Sequence, residues 1–293
     1  MTDNQRSLGS LLPAISLTTV AMLAFAGNSI LCRMALYDAA IDAASFTNIR
    51  MLSGALTLLV ILAMKSTLRK TTSCGSWFSA LMLLIYAVCF SYAYIDLGAG
   101  TGALILFGLV QGTMIVSALL AGDRPSLIET LGWISAAAGM VYLVLPGAEA
   151  PSLSGTVLMA VAGIAWGVYC IRGQAESDAL ASTASNFARS LVLVPLLFVF
   201  TMSSINMTVR GAVLAVASGA ITSGIGYVIW YAALTHLKTL QAAMVQLSVP
   251  AIAALGGVVL LGEALSLRLI IAAGLILGGI SIALSSKSEL QSP

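Results

Sequence analysis

Two arginines, Arg50 and Arg189, stand inside apolar segments of a chain that has few charges to spare. Each has an asparagine close by, Asn48 and Asn186, and the two arginines are 139 positions apart. A guanidinium in such a place has two readings. It can hold a substrate carboxylate through a bidentate contact, or it can snorkel to the membrane interface or bond nearby carbonyls. Gln111 and Gln246 bring neutral amides, with donor and acceptor together, into two further apolar segments. They can meet the ammonium or carboxylate of a solute, or hydrogen-bond one helix to another. Pro250, one turn after Gln246, removes the amide that would otherwise bond the Gln246 carbonyl. The aromatic residues gather in a few segments, among them Phe90, Trp166, Tyr169, Tyr227 and Trp230. Tyr227 and Trp230 share a helical face at a spacing of three. Together with Asn28 and Met244, these side chains are the candidate lining of a pathway for a mostly apolar organic solute. Tyr94 and Tyr86 instead suit the interfacial belt where Tyr and Trp collect.

Some chemistry is missing. No Asp or Glu falls in the middle of an apolar segment; Asp96, Asp123, Glu129 and Glu263 lie at segment ends. A proton-coupled exporter of lipophilic cations wants a buried carboxylate for which proton and cargo compete, so that mechanism is disfavoured. Two arginines are thin provision for phosphorylated sugars. Cys32, Cys74, Cys89 and Cys170 share no metal-ligand spacing, and neither a metal nor any other cofactor is expected. Ser218, followed by Gly219, has only His236 as an imaginable base, and about 27 Å of helix axis separates them. An enzyme is therefore not expected, and His236 reads as a solvated loop residue. A sensor or scaffold without transport is the remaining alternative of a different class.

The elements that must position these residues are membrane spans. Hydrophobic residues make up 59% of the chain and charged ones 8%, against about 25% charge in soluble domains. The net charge of +2 gives no case for nucleic acid. The apolar runs have the length of spanning helices rather than the alternation of a barrel. The expected fold is all-α integral membrane, with ten spans near 12–36, 43–64, 76–95, 99–121, 127–146, 153–171, 180–202, 210–234, 239–261 and 266–286. Pro195 and Pro250 are candidate kinks and hinges. Glycines four apart, as in Gly98/Gly102, Gly108/Gly112, Gly163/Gly167 and Gly274/Gly278, read as close helix packing. Lys65, Arg69 and Lys70 head the basic residues that fall on one side when the N-terminus is inside, while only Arg33, Arg210 and Arg268 fall outside. Both termini are then cytoplasmic by the positive-inside rule, in a multi-pass inner-membrane protein with no cleaved signal.

A repeat runs through this layout. At an offset of 140, Val88 falls on Val228, Ala93 on Ala233, Leu97 on Leu237 and Leu120 on Leu260. Gly122-Asp123 then meets Gly262-Glu263, and Ser126-Leu127 meets Ser266-Leu267. Two units follow, 1–146 and 147–293. Five spans per unit is an odd number, so the units are inverted relative to each other, as in secondary transporters that bind solute between repeats.

These residues also resemble a known family. The Gly-acid pairs closing the fourth helix of each unit, the Gly-rich fifth helices, Trp166-Gly167 and Pro250 are similar to the ten-helix, EamA-type members of the drug/metabolite transporter superfamily. Ala26-Gly27 and Val110 depart from that pattern in the first unit. Within the family the chain resembles the YddG branch of aromatic amino-acid exporters. The resemblance implies export of amino acids, aromatic or hydrophobic ones or related small metabolites, by alternating access, as a monomer or homodimer in the lipid bilayer. Other neutral metabolites, nucleosides or lipophilic cations are the alternative cargo.

Overall fold

A computed structural model describes residues 3–122, 124–147, 149–194, 206–237 and 239–290. Ten helices run through these residues: α1 (Asp3–Tyr37), α2 (Ala43–Met64), α3 (Trp77–Ala93), α4 (Ala99–Leu120), α5 (Leu127–Val144), α6 (Leu153–Gly173), α7 (Ala179–Leu193), α8 (Val209–Leu234), α9 (Thr239–Gln246, resuming as Ser248–Leu261) and α10 (Leu267–Leu290). Eight are long and apolar enough to cross a membrane. The other two, α3 and α7, have 17 and 15 residues. Many starts carry a side-chain cap, as short polar residues before apolar runs should. Asp42, Ser76, Ser152, Asp178 and Thr208 each accept from a backbone amide three positions on, and Ser126 and Glu129 form a capping box.

Several expectations change in detail. α1 begins at Asp3, well before the apolar run. Pro195 lies outside the described residues, as does Asp123. α8 is not uniformly α-helical: Ala217–Ile225 is a nine-residue π-helical segment. The Pro250 break takes the form of a one-residue interruption at Leu247, because the proline has no N–H for the Gln246 carbonyl. The tightest glycine crossing between α5 and α10 is not Gly274/Gly278, where an added Cβ would meet nothing within 4 Å. It is Gly132 against Gly279, where a Cβ on either residue would strike the other's carbonyl oxygen.

The packing pairs have a regularity of their own. α3 packs on α6 and α1 on α8; α4 packs on α6 and α1 on α9; α2 packs on α8 and α3 on α7. α2 also meets α7, α4 meets α9, and α5 meets α10. Exchanging α1–α5 for α6–α10 turns each of the first six pairs into another of the six and returns each of the last three to itself. The outward surfaces carry large exposed apolar side chains such as Leu56, Val60, Leu131, Val213, Leu255 and Ile270. In water such a surface would aggregate, whereas hydrocarbon solvates it. The molecule is an all-helical integral membrane protein.

Candidate functional site

Seven of the ten helices surround a central cavity of about 560 Å³, inside the size range of small-molecule sites. α1, α3 and α4 line it from the first half of the chain, and α6, α8 and α9 from the second, with α7 added. Helices α2, α5 and α10 contribute no lining residue.

One wall is aromatic. The Trp166 ring stacks on Tyr169 at 5.1 Å and on Tyr227 at 5.7 Å, and lies 4.8 Å from Tyr86. Phe25 joins Tyr227 and Trp230 at 5.9 and 5.8 Å, and Phe90 joins Tyr86 at 5.3 Å. Rings from α1, α3, α6 and α8 thus form one continuous surface, with centroids in the range where aromatic pairs attract. Polar groups are set among them. Asn28 donates to the Tyr86 hydroxyl at 3.4 Å and accepts from Ser218 at 2.7 Å and Thr222 at 3.3 Å. Ser218 is therefore a partner of Asn28. Gln111 on α4 and Gln246 on α9 both line the cavity, and no protein group among the described residues bonds their amides.

The cavity is closed toward one face and reaches the other. Its lining continues to Gly173 at the end of α6 with Gln174 and Glu176 beyond it, and to Leu234 at the end of α8 with Leu237 beyond it. Near that mouth, Tyr169 donates to Thr183 at 3.3 Å, and Thr183 and Tyr231 share a 2.6 Å hydrogen bond, joining α6, α7 and α8. At the opposite face Glu263 joins the helices. Gly262 adopts the left-handed conformation (φ 66°), and the Gly262 and Glu263 amides bond back to Val258 and Gly257, a glycine-ended helix stop. This turn sends the Glu263 carboxylate into the α3–α4 connection. There it accepts from the Ala99 amide at 2.8 Å and pairs with Arg33 Nε at 3.1 Å. Arg33 also donates to the carbonyls of Tyr94 and Ile95 at 3.0 and 2.7 Å. None of these residues lines the cavity.

Asn28, Phe90, Gln111, Trp166, Tyr169, Tyr227, Trp230 and Gln246 all reach the cavity surface. Three candidates do not. Met244 is 37% exposed and points elsewhere on α9, because residues 242, 243 and 246 face the cavity instead. Arg189 donates to the Cys74 carbonyl at 3.0 Å, so it secures the α2–α3 connection. Arg50 sits behind the wall, 1% exposed, donating to the Tyr86 hydroxyl at 3.0 Å with its guanidinium carbon 4.8 Å from the Phe90 ring centre. It does not snorkel. Tyr86 and Tyr94, expected at the interface, are buried inside the bundle. Arg33, expected in an outer connection, is buried in its ion pair. Lining residues outside the candidate set include Phe25, Met114, Thr183, Asn186 and Tyr231. Tyr231 follows Tyr227 by four and Phe25 precedes Asn28 by three, so helical spacing could have found both. Thr222 and Ser223 carry no such signal, since a π-helical turn shifts the register.

Fold and site together define a multi-pass membrane protein with a solute-sized chamber at its centre. The EamA-like transporter family matches residues 153–285. An uncharacterized protein of Pseudomonas aeruginosa is 48% identical over 271 residues, covering 92% of this chain and 94% of its own. Two proteins named as uncharacterized transporters are more distant. One, from Archaeoglobus fulgidus, is 26% identical over 68% of this chain and 72% of its own. The other, YoaV of Bacillus subtilis, is 20% identical over 80% of this chain and 85% of its own. A crystal structure that is 20% identical, covering 94% of this chain and 98% of its own with a TM-score of 0.66, shares the fold. Residues 153–285 thus form an EamA-like transporter domain, and the chain is a membrane transporter of the drug/metabolite transporter superfamily.

Proposed function

We propose that this transporter exports amino acids, aromatic or hydrophobic ones or closely related small metabolites, across the inner membrane by alternating access. The observation that carries the proposal is the cavity wall. Trp166 stacks between Tyr169 and Tyr227, with the amides of Gln111 and Gln246, unpartnered among the described residues, on the same chamber. Such a chamber offers flat apolar surface to a ring and hydrogen bonds to a polar end. Asn28, Phe90 and Trp230 complete the binding surface in this proposal.

The mechanism rests on two five-helix units, 1–146 and 147–293, inverted in the membrane. The exchange symmetry of the packing pairs supports them. Under the positive-inside rule the mouth after α6 and α8 faces the cytoplasm, where an exporter loads. The Arg33–Glu263 pair holds the outer face shut in this state. Release requires that pair to part while the mouth near Thr183 and Tyr231 closes. Pro250 is the hinge candidate within the described residues.

Flux of labelled Phe and Trp into proteoliposomes, with and without a pH gradient, tests the proposal. Saturable flux above that of empty liposomes is expected, and its absence for every aromatic and hydrophobic amino acid tried would overturn the substrate assignment. A dependence on the gradient would separate proton exchange from facilitated diffusion.

A further inference from the structure

Arg50 is a buried cation without an anion. Its Nη2 donates to the Tyr86 hydroxyl at 3.0 Å, while Nε and Nη1 have no hydrogen-bond partner. The ion pairs among the described residues are Arg33–Glu263 and Arg210–Asp38, so no carboxylate among those residues answers it. Tyr86 and Phe90 flank the guanidinium, with ring centres at 5.2 and 4.8 Å. Ring faces attract a cation, but they leave its N–H donors unsatisfied. At 1% exposure Arg50 does not reach a lipid headgroup either. An unpaired buried charge is among the costliest arrangements a protein can hold, and an ionisable group inside a membrane asks for a named partner.

The partner's place is open on one side. Tyr86 and Phe90 line the cavity, and Asn28, also on the cavity, bonds the same Tyr86 hydroxyl. One layer of side chains therefore stands between the free guanidinium donors and the solute chamber. We infer that the cargo carries a carboxylate, and that this carboxylate docks on Arg50 by displacing the Tyr86 hydroxyl from the Nη1–Nη2 fork. The inference rests on the transport proposal above and narrows its cargo to aromatic carboxylates. An α-ammonium is tolerated rather than required, because among the described residues the only acidic one on the cavity is Glu176 at the mouth. Carboxylate and fork match in geometry, and a charge-assisted bidentate pair is both stronger and more selective than a neutral contact. The same uncompensated charge repels lipophilic cations, the rival cargo class.

The test compares isosteres on the purified full-length protein by thermal stabilisation and by competition with labelled Phe. Phenylalanine, 3-phenylpropionate, 3-phenylpropanamide and phenethylamine share a ring and differ in charge, and hexanoate keeps the carboxylate without the ring. The wild type is expected to bind 3-phenylpropionate and phenylalanine at least about tenfold more tightly than the amide or the amine. Arg50→Met, checked for monodispersity, should abolish that difference, and Arg50→Lys should keep part of it, since charge survives and the fork does not. Equal binding of carboxylate and amide by the wild type would overturn the Arg50 assignment and leave the aromatic carrier standing. Undiminished carboxylate preference in folded Arg50→Met would do the same. Binding of hexanoate with no aromatic member would sink the aromatic reading while Arg50 stood. If no compound bound, both would fall.

Discussion

Trp166 meets three partners across the cavity wall, Tyr86, Tyr169 and Tyr227, so its loss should be felt more than that of any single tyrosine. Replacing it with alanine removes the central ring of the stack, and aromatic contacts of this kind contribute about 0.5–1.5 kcal/mol beyond burial. Trp166→Ala is expected to weaken binding of an aromatic solute by about tenfold in a competition assay, near the top of that range. Trp166→Phe should keep most of the affinity. Trp133→Phe, in α5 and away from the cavity, is the matched control. Equal affinities across the three variants would mean that the cargo does not touch this wall. At the same scale, the fates of Arg50 and Arg189 show why residue type alone was not enough. Both looked like intramembrane arginines with a neighbouring asparagine. One bonds the Cys74 carbonyl, and the other is left with two unpartnered nitrogens.

Among the elements, the link between the end of α9 and the α3–α4 connection makes the most specific claim. Glu263 reaches the Ala99 amide and Arg33 at once, and thereby ties α1, α4 and α9 across the face away from the mouth. Removing one partner of a buried ion pair costs about 3–5 kcal/mol, an upper bound here because the Glu263 side chain is 22% exposed. Arg33→Ala and Glu263→Gln should therefore shift the population toward the outward-open state. Cys170 lines the cavity and reports on this directly. In right-side-out vesicles carrying Cys170 as the only cysteine, an impermeant maleimide added outside should label the latch variants several-fold faster than the unaltered latch. Unchanged labelling would show that the pair does not guard the outer face. The sequence marked Gly262-Glu263 as a repeat feature at a helix end. Its partner could not be read there, since Arg33 lies 230 positions away.

At the scale of the whole molecule, α5 and α10 stand apart from the chamber and pack on each other, meeting at Gly132 and Gly279. The exchange relation pairs these two helices together, so their crossing braces both halves without taking part in the site. Gly132→Leu or Gly279→Leu drives a side chain into backbone, and overpacking of this kind costs about 1–3 kcal/mol. Thermal unfolding in detergent should show a lowered midpoint for each single variant. The double variant should lose less than the sum, because the first substitution has already parted the helices. Strictly additive losses would place the contact elsewhere.

The class of the molecule was legible without coordinates, because hydrocarbon imposes its demand on composition and segment length residue by residue. Apolar runs, caps such as Ser126 and Asp42, and the Pro250 break all follow from local chemistry. Trp166, Tyr227 and Gln246 were also within reach, since a polar or aromatic face on a lipid-embedded helix must turn inward. Three things belonged to the tertiary structure alone. The π-helical register of α8 decides that Ser218 and Thr222 meet Asn28. The packing of α3 against α2 decides that Arg50 lies behind Tyr86 rather than at an interface. The meeting of α1, α4 and α9 decides that Glu263 finds the Ala99 amide and Arg33. In each case the partners are distant in sequence. Periodicity says which face of a helix turns inward, but only packing says which other helix is waiting there.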